Sequence, residues 1–490
     1  MSLTELTRSL IAGILFAVVL VGNTRNAHGQ ERNYYQTDFT KEEFVQRRAK
    51  LFEKIGKNAF AVIQGAKGTG DFNVFRQSNE FYYLTGIESP HAYLVLDGRN
   101  QRTAIYLPHR DTGREGNEGK ILSAEDSDLI IELTGIDQVR AIEQLSQDLV
   151  GKGLLRPPPP LLYTPLSPAE TGTDSRDELL AEQARVSANP WDGAASREAR
   201  LREMLSLRAP QFEVRDLSPI LDGLRNIKSA QEIAIIRRAT EIAGLAIIEA
   251  MRSTEPGVYE YQLDAAAKYV FYMHGSRGDG YASIIGGGTN AYLGHYFRKT
   301  DKLVDGDLLL MDYAPDYRYY TSDVTRMWPV NGKYTAGQRA LTEYILAYRE
   351  ALFKYIRPGV TSDFVLDSAA KDMKQYLIGK VFANANHLKA VTAGLKFRGH
   401  FQHPVGMAVH DVGQVRGVKL EAGMVFTIDP MIWIREEKLY IRIEDVVVVT
   451  PNGAENLSAF VPSSIADIER IMTEKGVIQF RGATALPLQK

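Results

Sequence analysis

Cysteine is absent from the 490-residue sequence. The protein therefore forms no disulfide, and a membrane anchor attached through a lipoprotein cysteine is excluded. A charge excess of either sign is also missing, since 58 Lys and Arg residues stand against 60 Asp and Glu residues, a formal charge of −2. Without a basic run or a positive field, no nucleic-acid partner is predicted.

The first thirty residues differ in composition from the rest of the chain. Arg8 precedes the apolar run Leu10–Val21, and small residues follow at Ala27 and Gly29. A charged start, a short apolar run and a small-residue end are typical of a secretory signal peptide. Residues 1–29 are therefore predicted to direct export to the periplasm or the extracellular space. The run is too short to favour a membrane span, and an uncleaved N-terminal anchor is the alternative.

The length of the chain predicts two folded domains, because one hydrophobic core seldom serves so many residues. Residues 30–225 read as an α/β domain, with a helix over residues 39–55 and short buried strands. Those strands are predicted at residues 60–63, 93–96 and 103–107. Residues 157–200 read as a long surface excursion that begins with the four prolines Pro157–Pro160.

Residues 226–490 read as an α+β domain with a central, largely antiparallel sheet. Ser229 and Glu232 have the spacing of a capping box, which starts a helix with an apolar stripe. Buried strands are predicted at residues 308–311, 425–428 and 446–449, and one closing helix at residues 465–471.

Acidic residues and histidines stand where buried strands of the second domain are predicted to end. They are Asp312, Asp323, His403, His410, Asp429 and Glu444. A buried, unpaired carboxylate is unfavourable, and converging carboxylates raise one another's pKa. Divalent cations supply the missing positive charge, and two neighbouring cations can share a hydroxide and polarise a carbonyl. Oxygen-rich ligation with one imidazole suits Mn²⁺, Zn²⁺ or Co²⁺.

Each of these residues also has a purely structural interpretation. Asp323 alone fits a helix cap or a salt bridge, and His403 alone fits a hydrogen-bonded structural residue. Glu444 with Asp445 fits a solvated strand edge. Only the combination of the residues favours a metal site.

The order of these residues resembles a known family. The motifs are D-x(10)-D from Asp312, H-x-x-G-x-x-x-H-D from His403, a carboxylate before proline at Asp429, and R-x-E-D from Arg442. Together they resemble the metallopeptidases with the pita-bread fold, and within that family the aminopeptidase P and prolidase branch. The flanking stretches 75–86, 286–296 and 323–333 are similar to segments of the same branch.

The resemblance implies a pita-bread catalytic domain preceded by an aminopeptidase P N-terminal α/β domain. It implies that two divalent metal ions, Mn²⁺ in first place, are held by Asp312, Asp323, His403, Asp429 and Glu444. Asp323 and Glu444 would bridge both ions. His295 and His410 would lie beside the scissile bond, Asp429 would accept a proton, and Arg442 would orient a ligand carboxylate. Tyr281 and Trp433 are candidates for a proline-binding pocket.

The implied activity is hydrolysis of the N-terminal Xaa-Pro bond of proline-containing peptides by a hydroxide that bridges the two cations. An Xaa-Pro dipeptidase and a peptide-binding protein without catalysis are the alternatives, and a metal-independent, creatinase-like hydrolase is disfavoured by the retained acids. Relatives often form dimers or tetramers, so a homo-oligomer is expected.

The sequence also departs from the family pattern. Asp429 stands where the family usually has Glu, and its side chain reaches about 1.5 Å less. Further departures are Ala314, Gly399, Met431 and Trp433, where the family usually has Gly, His, Gly and Tyr. His400 follows one residue after the expected histidine position. We expect these changes to affect turnover, metal preference or specificity rather than the scaffold.

Overall fold

The structure, a computed structural model, describes residues 34–70, 72–149 and 160–480. The predicted signal peptide, residues 1–29, lies outside the described residues, as do Pro157–Pro159 of the proline run. Within the described ranges, no helix has both the length and the apolar character that crossing a membrane requires.

The N-terminal unit is built on one mixed six-stranded sheet. Its strands are β1 (Ala59–Gln64), β2 (Tyr93–Asp97), β3 (Arg102–Leu107), β4 (Gln138–Ala141), β5 (Leu161–Thr164) and β6 (Glu213–Asp216), in the order β4-β3-β2-β1-β5-β6. The pairs β1–β2 and β2–β3 are antiparallel, and the other pairs are parallel. The predicted α/β character of this domain and its first three strands are confirmed.

Helices cover this sheet and connect its strands. They are α1 (Lys41–Ile55), α2 (Asn79–Thr85), α3 (Thr112–Glu118), α4 (Ser127–Thr134), α5 (Leu145–Leu149), α6 (Arg176–Ala188), α7 (Arg197–Arg208) and α8 (Ser218–Asn226), with 3₁₀ turns at Ala124–Asp126 and Ile142–Gln144. Thr40 caps the N-terminus of helix α1, and its hydroxyl accepts a hydrogen bond from the Glu43 N–H. Its apolar side, including Phe44 and Leu51, is buried against the sheet domain.

The segment predicted as a surface excursion is more regular than expected. It contains helix α6 and the start of α7. Ser175 and Glu178 form a capping box at the start of α6, because the Ser175 N–H donates to the Glu178 carboxylate at 2.9 Å. This local signal favours a helix even though most of α6 is exposed and buries little apolar surface.

The C-terminal unit combines long helices with short strands. Its helices are α9 (Ala230–Ser253), α10 (Glu260–Met273), α11 (Ala336–Phe353), α12 (Ser362–Tyr376), α13 (Ala385–Gly394) and α14 (Ile465–Ile471), with 3₁₀ turns at Gly288–Tyr292 and Arg435–Glu437. Its strands are β7 (Gly278–Asp279), β8 (Ile284–Gly287), β9 (Leu308–Asp312), β10 (Pro315–Asp316), β11 (Thr325–Pro329), β12 (Phe401–Pro404), β13 (Val425–Ile428), β14 (Met431–Ile434), β15 (Leu439–Arg442), β16 (Asp445–Thr450) and β17 (Gly453–Asn456). The predicted capping box at Ser229 and the closing helix are confirmed.

The pairings in the C-terminal unit are antiparallel, as predicted, but they form several small sheets. The orders are β11-β9-β8, β12-β13-β16-β17, β10-β7 and β14-β15. The first two sheets meet where Thr325 forms an isolated bridge with Glu444. Helices α9 and α10 pack against each other, as do α11 and α12, around a core that includes the buried Trp328. The α+β pita-bread class is confirmed.

A tyrosine stack joins the two units next to the loop that leads from β10 to β11. The rings of Tyr82 and Tyr319 lie 3.6 Å apart and nearly parallel, at 9°. The Tyr319 hydroxyl accepts from the Gln77 N–H and donates to Glu88. Tyr319 has a positive φ of 71°, a strained conformation for a non-glycine residue, so these contacts from the N-terminal unit hold the loop in place.

Candidate active site

Five side chains meet at the junction of the two larger C-terminal sheets. Asp312 ends β9 and pairs with Thr325, two residues after Asp323. The Glu444 N–H donates to the Thr325 carbonyl at 3.1 Å, which brings the start of β16 to the same place. Two further residues complete the set: His403 on β12 and Asp429 directly after β13. Strand ends from separate parts of the sequence therefore present the acids to one volume, because antiparallel pairing fixes their register.

Asp323, His403 and Glu444 form the tightest group. One possible ligand atom from each lies within 4.8 Å of the other two. The His403 Nε2 atom is 3.4 Å from an Asp323 carboxylate oxygen. Both acids are buried and His403 is partly buried, and an imidazole beside two carboxylates is a suitable donor set for a divalent cation.

Arg442 links the two remaining acids, Asp312 and Asp429, to Glu444 of this group. Its Nε lies 2.9 Å from the Asp429 carboxylate, its Nη1 is 2.8 Å from Asp312, and its Nη2 contacts Glu444. The guanidinium therefore orders three carboxylates at once, as a planar donor with several N–H groups can. Arg442 supplies a single positive charge beside four acidic side chains, so the cluster favours additional cations.

Burial dominates the electrostatics of the cluster. It raises the pKa of Asp323 well above its ordinary value, and repulsion from Glu444 and then Asp312 adds to the effect. Burial likewise raises the pKa of Asp429, although Arg442 opposes the shift. The pKa of Glu444 is also raised by burial, and its Oε1 is buried without a hydrogen bond of ordinary geometry. Each observation indicates acids that bound cations would stabilise in the charged form.

The imidazole of His403 is neutral. Burial is the largest cause, and the adjacent His410 the second, of a pKa lowered to about 3. The His403 Nδ1 lies 3.1 Å from the Pro404 carbonyl, which orients the ring and leaves Nε2 toward Asp323. A neutral imidazole oriented in this way is the form that binds a metal ion.

The structure places Tyr281 against the carboxylates. Its hydroxyl contacts Asp312 and lies 2.9 Å from Asp323. Burial, followed by the charges of these two acids, raises the pKa of Tyr281 well above its ordinary value. The phenol therefore stays protonated and donates hydrogen bonds to the carboxylates. The sequence identified Tyr281 only as a proline-pocket candidate, and its contact with the acids depends on a fold that joins residues 31 and 42 positions apart.

Trp433 lies on β14 within an aromatic group. Its ring stacks on Tyr440 at 4.9 Å and meets the edge of Phe397 at 5.2 Å. His400 packs against Phe397 and is used structurally, since its Nδ1 accepts from the Met431 N–H and its Nε2 donates to the Gly394 carbonyl. Burial lowers the pKa of His400 to about 4, so this histidine is also neutral.

The two remaining histidines lie on loops. His295 is exposed and follows the 3₁₀ turn Gly288–Tyr292, a turn that contacts both β9 and β15. The ring of His410 lies 4.1 Å from that of His403. The cluster thus has His410 directly beside it, and His295 on a loop anchored next to the strands that carry Asp312 and Arg442.

Sequence reasoning did not single out Arg326. This arginine is almost completely buried, and it donates to the carbonyl oxygens of Thr325 and Glu444 and to the Asp445 carboxylate. A signal was present in the sequence, because Arg326 lies in the largely apolar stretch 324–330, and an arginine that is buried requires an acid as partner. Asp445 is that partner, immediately after Glu444.

Comparison with known proteins also indicates a metallopeptidase site. The sequence profile described as Metallopeptidase family M24 matches residues 234–451, and that described as Aminopeptidase P, N-terminal domain matches residues 44–153. The Xaa-Pro aminopeptidase of Escherichia coli (strain K12) is 31% identical over 457 residues, covering 89% of this chain and 98% of that protein. The Xaa-Pro dipeptidase of Homo sapiens is 26% identical, covering 90% and 95%.

Solved structures share the fold over most of the chain. Two structures of E. coli aminopeptidase P, one with the inhibitor Pro-Leu and one zinc-substituted with product, each show a TM-score of 0.70 and 29% identity. Each covers 89% of this chain and 99% of its own. A putative aminopeptidase P from Bacillus anthracis has a TM-score of 0.75 at 23% identity and covers 90% and 100%. The matches to the two sequence profiles, and the relatives that align over nearly their full length, show that this chain belongs to metallopeptidase family M24, in the branch of the Xaa-Pro aminopeptidases.

Proposed function

We propose that this protein is a metal-dependent aminopeptidase that releases the N-terminal residue from peptides whose second residue is proline. The observation that carries the proposal is the convergence of four acids and the neutral His403 at the junction of two sheets. The acids are buried or nearly so, and they have one arginine among them. The Xaa-Pro aminopeptidases to which the chain is similar supply the substrate class.

The residues present fit two divalent cations. Asp312, Asp323, His403, Asp429 and Glu444 would hold them. The buried Glu444 Oε1 and the raised pKa values of Asp323 and Glu444 support this fit. When bound, such cations polarise a peptide carbonyl and lower the pKa of water. Mn²⁺ is the first choice for a set dominated by carboxylate oxygens, followed by Zn²⁺ and Co²⁺.

The protein's own groups divide the remaining work. Arg442 keeps the carboxylates of Asp429, Asp312 and Glu444 in fixed positions. An Asp429 carboxylate oxygen accepts the proton that the attacking water loses. His295 and His410 contact the substrate beside the scissile bond, and an N–H of His295 stabilises charge on the carbonyl oxygen. Trp433 and its aromatic neighbours provide an apolar surface for the proline ring.

Peptide hydrolysis by the purified protein tests the proposal. The substrates are Xaa-Pro-Yaa, Xaa-Ala-Yaa and the dipeptide Xaa-Pro, each with Mn²⁺, Zn²⁺ or Co²⁺. We expect cleavage of Xaa-Pro-Yaa in preference to Xaa-Ala-Yaa, and loss of that cleavage in Asp323→Asn. The control variant Asp363→Asn changes an exposed acid and keeps full activity.

Two outcomes would replace the proposal by an alternative. Cleavage of the dipeptide without cleavage of the tripeptide would identify an Xaa-Pro dipeptidase. Binding of one metal equivalent or none, with no hydrolysis under any metal, would identify a peptide-binding protein. Equilibrium dialysis of the metal and liquid chromatography of the products distinguish the three cases.

We also propose that the protein is exported and that it forms a homo-oligomer. The charged and apolar N-terminal segment, residues 1–29, supports export. Expression of the full chain in a bacterial host, with mass spectrometry of the mature N-terminus, tests cleavage near Gly29. An intact N-terminus in the cytoplasmic fraction would overturn export, and a monomeric mass by sedimentation would overturn the oligomer.

A further inference from the structure

A helix of the N-terminal unit starts directly against His410. Ser175, the capping residue of α6, accepts a hydrogen bond through its Oγ from the His410 N–H at 3.1 Å. Two residues on, a carboxylate oxygen of Asp177 lies 2.9 Å from His410 Nδ1. The start of α6 thus holds both the main chain and the ring of His410, a proposed substrate-binding residue, and Asp177 lies 233 positions earlier in the sequence.

A buried ionic cluster fixes both partners of this contact. Between Ser175 and Asp177, the Arg176 side chain turns inward, where it contacts Glu80 and lies 3.3 Å from Glu170. Arg225 joins Glu170 at 2.7 Å to Asp411 at 2.6 Å. Since Asp411 directly follows His410, one chain of ion pairs connects the start of α6 to the histidine loop.

A second cation, Lys228, also contacts Asp411 in this cluster. Lys228 lies 3.1 Å from the second carboxylate oxygen of Asp411. Arg225, Lys228 and Asp411 are each at most 6% exposed. Buried ion pairs break only at a high free-energy cost, so the distance between Asp177 and His410 is set by rigid surroundings.

The chemistry of the contact fixes the ring of His410. An ionised carboxylate has no proton to give, so Nδ1 must carry the hydrogen in the Asp177 pair. Nε2 is then the ring nitrogen left for the substrate. Such a carboxylate–histidine contact sets the ring's orientation and its tautomer, both of which decide whether Nε2 meets its target.

Helix α6 also forms one wall of the cleft at the site. A cleft of about 530 Å³ is lined by His403 and His410 and by Asp177 and Leu180 of α6. The Asp177 side chain is 61% exposed within it, and an exposed ion pair contributes little to folding stability. Asp177 therefore contributes little to folding, and its contact with His410 is better explained by a function in the cleft.

We propose that Asp177 is a positioning residue, which holds the His410 imidazole with Nδ1 protonated and Nε2 directed to the substrate. The inference rests on the proposed function, because it assigns His410 to substrate contact. It adds that the N-terminal unit supplies part of the catalytic geometry through α6.

The first test measures hydrolysis of Xaa-Pro-Yaa by Asp177→Ala in the full chain with the most effective metal. We expect kcat/KM to fall about 10-fold, the low end of the effect found when a partner of a metal-bound histidine is removed, with thermal stability unchanged. Asp174→Ala is the matched control, since this exposed acid lies three residues earlier in the same segment and should leave kcat/KM unchanged.

A double-mutant cycle separates positioning from a general structural effect. If Asp177 acts through His410, Asp177→Ala causes no further loss in a His410→Ala background. An equal loss in both backgrounds, or no loss in the wild-type background, would overturn the proposal.

A second readout does not depend on activity. In protein labelled with ¹⁵N-histidine, the His410 signals are assigned by their disappearance in His410→Ala. We expect Nδ1 to be protonated in the wild type and the proton to move toward Nε2 in Asp177→Ala. Unchanged His410 signals would refute the positioning role. Failure of the wild-type chain to hydrolyse any peptide would refute the proposed function alone, with the spectrum still deciding the role of Asp177.

Discussion

The Arg326 guanidinium donates a hydrogen bond to the main-chain carbonyl of Glu444 at 2.8 Å. The same side chain donates to the Thr325 carbonyl at 2.9 Å and to the Asp445 carboxylate at 2.7 Å. A buried cation behind the acid cluster thus joins the two strand ends that carry Asp323 and Glu444. The cluster is held together at the main chain before any cation binds.

Replacing Arg326 by alanine should strongly destabilise the protein. The change leaves the buried Asp445 without its main partner, and breaking a buried ion pair from one side costs about 3–5 kcal/mol. The measurement is urea unfolding of both proteins. Arg237→Ala is the control, because Arg237 pairs with Glu455 at the surface and its loss should cost at most about 1 kcal/mol. Similar losses in the two variants would show that Arg326 is not a special support.

The sequence predicted those parts of the site that depend on local pattern. Asp312 and Asp429 each follow a short apolar run, and a strand with an acid at its end is readable without knowing its neighbours. The cap at Ser229 was readable for the same reason. The division of the strands into several sheets was not, since it depends on pairings between distant segments.

Contacts between distant polar groups were also beyond the sequence. The His410–Asp177 contact joins a loop to a helix 233 positions away, and neither residue has a periodicity that marks the other. Tyr281 reads equally well as an apolar pocket residue or as a donor to acids. Only the packed structure decides between these environments, because burial and partner geometry set the role of a polar side chain.

Asp429→Glu should keep or increase hydrolysis of Xaa-Pro-Yaa. The longer side chain extends the carboxylate by about 1.5 Å, toward the reach that the family pattern provides. The measurements are kcat/KM and the metal content after dialysis. Asp429→Asn keeps the size and removes the charge, so it should lose both activity and metal. An equal loss in Asp429→Glu would show that the site is adapted to the shorter acid.

Metal removal should change how stability depends on pH. Burial and repulsion raise the pKa of Asp323 and Glu444 in the folded state, so the folded protein binds protons more tightly than the unfolded chain. The stability of the metal-free protein therefore falls as pH rises from the ordinary carboxyl range toward these raised values. Cations bind the deprotonated acids, so their stabilising effect should grow over the same interval.

Thermal unfolding of chelator-treated protein, with and without saturating Mn²⁺, measures this effect. The increase in Tm on adding Mn²⁺ should be larger at about pH 8 than at about pH 5.5. Asp323→Asn removes one of the raised carboxyls and should make the increase smaller at both values. An equal increase at the two pH values in the wild type would show that the acids do not take up protons when the metal leaves.

Tyr281→Phe should lower activity while leaving most of the stability. The substitution removes the hydroxyl that contacts Asp312 and lies 2.9 Å from Asp323, so both carboxylates lose an orienting donor. Partners of metal ligands typically contribute about 10- to 100-fold to activity or metal affinity, and we expect a loss of kcat/KM in that range. Tyr344→Phe is the matched control: its buried hydroxyl donates to the Val391 carbonyl away from the acids, so it should cost about 1 kcal/mol of stability and no activity. Full activity in Tyr281→Phe would mean that Arg442 and the main-chain contacts alone hold the acids in place.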